Sequence, residues 1–137
     1  MNTDKLLENV DIIKIHGKIP QYVDDITDYS EYVKSDGLFF CVNGNNTNGK
    51  NYIKDVENRG AKLIVGEEYC ETEVCFLVVK DIKKAMAQIC KNYFGEPQKS
   101  MKITGVVGTN GKTSICYILS RIFEYSGKKT AVIGTLG

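Results

Sequence analysis

The sequence is short of the residues that would mark several classes of protein. Of its 18 Lys and Arg, only Arg59 and Arg121 are arginine. The planar cation that forks phosphates and reads nucleic-acid grooves is therefore scarce. The 18 basic residues face 17 acidic ones, for a net charge of +1. That balance removes the electrostatic footprint of a nucleic-acid or membrane-surface binder. A single histidine, His16, excludes a histidine metal cluster and reads as a polar residue beside the Gly17 turn. Five cysteines (41, 70, 75, 90 and 116) form an odd, scattered set with no C-x-x-C pair. They read as reduced thiols of a cytoplasmic protein, not as a disulfide framework or a zinc site. No run approaches the ~18–20 apolar residues of a membrane span. The opening MNTDKLLENVDII has acidic residues and no apolar centre, so it does not read as a secretory signal.

What remains fits a globular chain with a real core: 137 residues, 42% hydrophobic and 26% charged. Apolar runs of strand type lie at 11–15 (DIIKI), 38–42 (LFFCV), 61–65 (AKLIV) and 74–79 (VCFLVV). Residues 20–37 read as irregular. The stretch 43–51, NGNNTNGKN, reads as a loop, because Asn and Gly tolerate the positive φ angles of tight turns. A short helix is expected over 51–59, stopped by Gly60. Asp81 reads as an N-cap. Behind it Ile82, Ala85, Met86, Ile89, Cys90 and Tyr93 form one apolar helical stripe, a core face and not a cofactor box. GEPQKS (95–100) is a polar break, so one domain is expected over 1–99 and the start of a second over 100–137. Alternating strands and helices predict an α/β fold, Rossmann-like, with a mostly parallel sheet.

The most informative chemistry begins at residue 101. MKITGVV (101–107) reads as a strand, GTNGKTS (108–114) as a Gly-rich turn, and 113–126 as a helix. Ile115, Ile118, Leu119, Ile122 and Phe123 share one face of that helix, Gly127 caps it, and KKTAVIG (128–134) reads as a further strand. This is the context a phosphate loop requires. Gly108 and Gly111 would let backbone N–H groups approach an anion, and the helix N-terminus would favour its charge. Lys112 would face the β- and γ-phosphates of ATP, and the Thr113 hydroxyl would bind Mg²⁺. The common pattern G-x-x-x-x-G-K-[ST] wants glycine at 106, where the chain has Val106. Without its flanking elements the segment would be an ordinary helix start with an exposed lysine.

The shortened loop G-T-N-G-K-T-S resembles that of the Mur ligases and their relatives, the folylpolyglutamate and cyanophycin synthetases. Two further segments are similar to the tripeptide-synthetase branch of the Mur ligases. One is VVKDIKKAMAQICKNYFGEPQKSMKITGVVGTNGKTS, which follows the order of helix, linker and ATP loop, with VIGTLG at 132–137 matching the strand beyond. The other is ITDYSEYVKSDGLFFCVNGNNTNGKNYIKDVENRGAKLIV (26–65), similar to the branch's N-terminal domain. The resemblance covers about residues 24–137. Three motifs depart from it. The family's Asp-Ser-Arg is Tyr29-Ser30-Glu31, its Gly-Asp is Asp36-Gly37, and its Asp-Gly is Asn48-Gly49.

The resemblance implies an ATP-dependent ligase that phosphorylates a carboxylate of UDP-MurNAc-L-Ala-D-Glu and lets an amino acid's amine attack the acyl phosphate. It implies ATP and Mg²⁺ as cofactors, bound through Gly108, Thr109, Asn110, Gly111, Lys112, Thr113 and Ser114, with Lys112 and Thr113 catalytic and Thr113 the metal ligand. It implies uridine-diphosphate recognition by Asp28, Ser30, Asn45, Asn46 and Thr47. A monomer in the cytoplasm is expected, with no nucleic-acid or membrane partner. Family members have three domains, so 137 residues reads as an N-terminal portion that does not turn over alone. Two other readings stay open: another P-loop enzyme such as a small-molecule kinase, and a non-catalytic nucleotide-sugar-binding module.

Overall fold

A computed structural model describes residues 1–43 and 49–134. The chain divides into two compact units, Met1–Pro97 and Gln98–Gly137. In the first, five strands form one sheet: β1 (Ile12–His16), β2 (Ile26–Thr27), β3 (Leu38–Cys41), β4 (Leu63–Gly66) and β5 (Cys75–Val79). The strand order is β1-β5-β4-β3-β2. Strands β2 to β5 run parallel, and β1 closes one edge antiparallel to β5. The expected mostly parallel α/β sheet is what the chain forms.

Continuous apolar strands are the mark of a sheet covered on both faces. The pleat then sorts their side chains by alternation. Leu38, Phe40, Leu63, Val65, Cys75, Leu77 and Val79 form one buried layer with α1 (Thr3–Leu6) and α3 (Ile82–Phe94). Phe39, Cys41, Ile64 and Phe76 form the other with α2 (Ile53–Asn58) and Val33. Register carries the layers across the sheet, with Phe39 beside Ile64 and Ile64 beside Phe76. Gly66 is fixed by this packing, because a Cβ there would lie 2.9 Å from Phe76 Cζ.

Helix α3 begins as its sequence predicts. The Asp81 carboxylate accepts the Lys84 N–H at 3.0 Å, and Ile82, Ala85 and Ile89 are buried. Met86 and Tyr93 pack against the core, as the apolar stripe implies. His16 ends β1 and stacks on Tyr69, with ring centroids 3.8 Å apart. All five cysteines are free thiols. Burial pushes the Cys41 thiol up to about 11, which makes it a poor nucleophile.

Three features differ from the sequence expectations. Helix α1 and strand β2 lie in stretches with no periodic signal. Each is a turn or less in length, held by tertiary partners, as β2 is by its pairing with β3. The helix expected over 51–59 starts as a 3-10 turn at Gly49–Tyr52 and becomes α-helical at Ile53. In the second unit, α4 (Lys112–Tyr125) forms as expected, but 101–107 and 128–134 are not strands. A strand exists only through its ladder, and an isolated pair is marginal at best. Ile103, Val107 and Ile133 are correspondingly exposed. Among the described residues, no helix is long and apolar enough to cross a membrane.

Candidate functional sites

The first site lies in the Gln98–Gly137 unit. Gly111 takes φ +74° at the N-cap of α4, a left-handed conformation that glycine adopts without strain. The following N–H groups of the first turn have no carbonyl one turn back to bond. No side chain caps them, and no acidic residue stands in that turn. The first intrahelical bond runs from Ile115 N–H to the Gly111 carbonyl at 3.0 Å. An uncapped, acid-free first turn after a glycine is chemically suited to an anion.

Lys112 folds back over the loop. Its ammonium donates to the Gly108 carbonyl at 2.7 Å and to the Thr109 carbonyl at 3.3 Å. The cation is thereby held at the loop rather than extended into solvent. A lysine ammonium has three donors, and a phosphate oxygen is a stronger acceptor than a neutral carbonyl. Gly108, Thr109, Asn110, Gly111 and Ser114 are exposed, and Thr113 is half-buried. The seven loop residues singled out in the sequence thus share one turn and one helix start.

The second site belongs to the Met1–Pro97 unit. Loops that follow parallel strands gather at one edge of the sheet, where α/β proteins place ligands. Asp28 follows β2 directly and is exposed. The Tyr29 N–H bonds Thr27 Oγ1 at 3.1 Å, and Ser30 opens a 3-10 turn, Ser30–Tyr32. Asn45, Asn46 and Thr47 fall outside the described residues. Strand β3 leads into that stretch, and Gly49 and Lys50 follow it.

Three charged residues of this unit were not singled out in the sequence as site residues: Lys50 and Glu68, which follow β3 and β4, and Arg59, which ends α2 before the start of β4. Lys50 and Glu68 form an ion pair, whose hydrogen bond holds the lysine pKa up and the carboxylate pKa down. Arg59 donates from Nη1 to the Glu31 carbonyl at 3.2 Å and pairs with Asp55 at 3.0 Å. Its i,i+4 pairing with Asp55 is local, but its reach to Glu31 gives no local signal, because that partner is 28 residues away. Lys50 could have been noticed as the cation closing the Asn-rich loop. Among the described residues, no group of three or more His, Cys, Asp or Glu could hold a metal ion.

No family model matches the chain. It is 39% identical over 107 residues to the UDP-N-acetylmuramoyl-L-alanyl-D-glutamate–2,6-diaminopimelate ligase of Halalkalibacterium halodurans, covering 78% of this chain and 22% of that protein. It is 34% identical over 137 residues to the ligase of the same name from Clostridioides difficile, covering 99% of this chain and 28% of the relative. Among solved structures, MurF from Acinetobacter baumannii superposes with a TM-score of 0.73 at 22% identity, over 90% of this chain and 27% of its own. MurF from Thermotoga maritima in complex with ADP gives a TM-score of 0.58 over 74% of this chain and 23% of its own, also at 22% identity. These structural likenesses show the fold, and the sequence likenesses extend along nearly the whole chain. The chain belongs to the Mur ligase family, and it spans 22% to 28% of the length of the curated relatives it matches here.

Proposed function

We propose that the chain supplies the nucleotide-sugar-recognising domain and the ATP phosphate loop of a ligase that extends UDP-MurNAc-L-Ala-D-Glu by one amino acid. The relatives are named for 2,6-diaminopimelate. The observation that carries the reading is the Lys112 ammonium held over a glycine loop at an uncapped 14-residue helix. In this reaction ATP transfers its γ-phosphoryl group to the substrate carboxylate, giving an acyl phosphate and ADP. The amino acid's amine then attacks the acyl carbon, an amide forms, and inorganic phosphate leaves.

Lys112 and the loop amides of residues 108–114 are assigned to the charge on the transferred phosphoryl. Mg²⁺ binds readily through one protein oxygen with phosphate oxygens and waters for the rest. The hydroxyl of Thr113, a half-buried residue, fits that role, and among the described residues no acidic cluster stands beside it. Asp28, Ser30, Asn45, Asn46 and Thr47 are assigned to the uridine-diphosphate end. Uracil offers donors and acceptors at fixed places, which hydroxyl, carboxylate and amide side chains can meet. On this reading the domains are 1–99 for the nucleotide sugar and 100–137 for the opening of the ATP domain, in a cytoplasmic monomer.

Calorimetry on the 137-residue chain tests this, with UDP-MurNAc-L-Ala-D-Glu and Mg·ATP titrated separately. Binding of both is expected, with no steady phosphate release when both are present. Mg·ATP binding alone would favour a different P-loop enzyme. Sugar-nucleotide binding alone would favour a non-catalytic module.

A further inference from the structure

The 3-10 turn Ser30–Tyr32 contains no buried residue, and no side chain caps its start. It carries Ser30, and in place of the family's arginine it carries Glu31. A turn of three residues with only its own backbone bonds has little to hold it in one conformation. Two things hold it here. Val33, just beyond it, is 7% exposed and packs in the core layer that includes Ile53 and Val56 of α2. The other is Arg59, which reaches back from the end of α2 to the Glu31 carbonyl at 3.2 Å.

The Arg59 guanidinium is itself oriented. Its Nε lies 3.1 Å and 3.0 Å from the two Asp55 carboxylate oxygens, one helical turn back, and its Nη1 is left to face the turn. The backbone beside it reinforces the link, since the Asp36 N–H bonds the Gly60 carbonyl at 2.9 Å. The segment 30–36 is thus laced to the end of α2 at both of its ends. Arg59 is the only side chain among the described hydrogen bonds that reaches this turn from another element.

We propose that Arg59 is a positioning residue for nucleotide-sugar recognition. It holds the Ser30 turn in its binding conformation and brings a cation to a segment whose own arginine has become Glu31. The proposal rests on the assignment of Ser30 to the uridine-diphosphate end. The guanidinium is planar and forked, so it can hold Asp55 and the Glu31 carbonyl together, which a lysine point charge cannot.

The test is calorimetric titration of UDP-MurNAc-L-Ala-D-Glu into the wild-type chain, Arg59→Gln, Arg59→Lys and Asp55→Asn. Arg59→Gln should weaken binding about tenfold, the loss expected for one charge-assisted hydrogen bond. Arg59→Lys should recover part of that loss, and Asp55→Asn should weaken binding less than Arg59→Gln. Mg·ATP affinity and the melting temperature should stay at their wild-type values, because the side chain is 41% exposed. Backbone amide shifts of Ser30, Glu31 and Tyr32 should move in Arg59→Gln without ligand. If Arg59→Gln binds the sugar nucleotide as tightly as wild type, the proposal falls while the function stands. If affinity falls only in step with melting temperature, Arg59 is merely structural. If Arg59→Gln does not fold, Asp55→Asn decides, and wild-type affinity there overturns the proposal. If the wild-type chain binds no sugar nucleotide, the functional reading fails first.

Discussion

Replacing Phe76 with alanine is expected to cost the Met1–Pro97 unit about 3–5 kcal/mol of stability. The ring is fully buried near the start of β5, in the layer shared with Ile64, Phe39 and Val56. It also meets Tyr69 edge-on, with centroids 5.6 Å apart, and its Cζ lies 2.9 Å from where a Cβ on Gly66 would sit. Phe39 and Ile64 belong to paired strands, so they cannot collapse into the cavity without disturbing the ladder. A domain of this size is stable by about 5–15 kcal/mol, so the variant should lie near the limit of folding. Urea unfolding followed by circular dichroism reads the effect as a large drop in midpoint with an unchanged slope. A drop below about 1 kcal/mol would show that the second core layer is not packed as described.

The second large effect belongs to Lys112. Its replacement by alanine should weaken Mg·ATP binding to the chain by about 1.5–3 kcal/mol, the range for a hydrogen bond to a charged group. Calorimetry would read that as a roughly ten- to hundredfold rise in Kd. Sugar-nucleotide affinity should not change, because Lys112 belongs to the second unit. The structure also indicates what the variant loses before ATP arrives. The ammonium ties the Gly108 and Thr109 carbonyls together, so the empty loop should become more mobile in Lys112→Ala. Unaltered Mg·ATP affinity would remove Lys112 from the site.

The parts of the fold legible in the sequence were those with a strong period or a strong punctuation. Strands β3, β4 and β5 announce themselves as unbroken apolar runs, and α3 by a stripe capped at Asp81 and stopped at Gly95. The parallel sheet follows from their alternation with helices. Strand β2 was not legible, because two residues carry no period, and its existence depends on Leu38 and Phe39 alongside. The segments 101–107 and 128–134 show the reverse case. Their composition suits strands, yet no ladder forms in the described residues.

The candidate sites divide in the same way. The phosphate loop is contiguous, so seven residues of one turn can be read in a line. The edge proposed for the nucleotide sugar draws on several loops, and only those that carry family-like residues could be named. Arg59 is legible only in three dimensions, since what makes it relevant is a carbonyl 28 positions earlier in the chain.

The most direct test of the two-site reading is an amide-shift map of the isotopically labelled chain with each ligand in turn. UDP-MurNAc-L-Ala-D-Glu should shift amides of residues 27–32 and 41–50 and leave 108–115 in place. Mg·ATP should do the opposite. Shifts from both ligands in the same residues, or none from either at millimolar concentration, would contradict it.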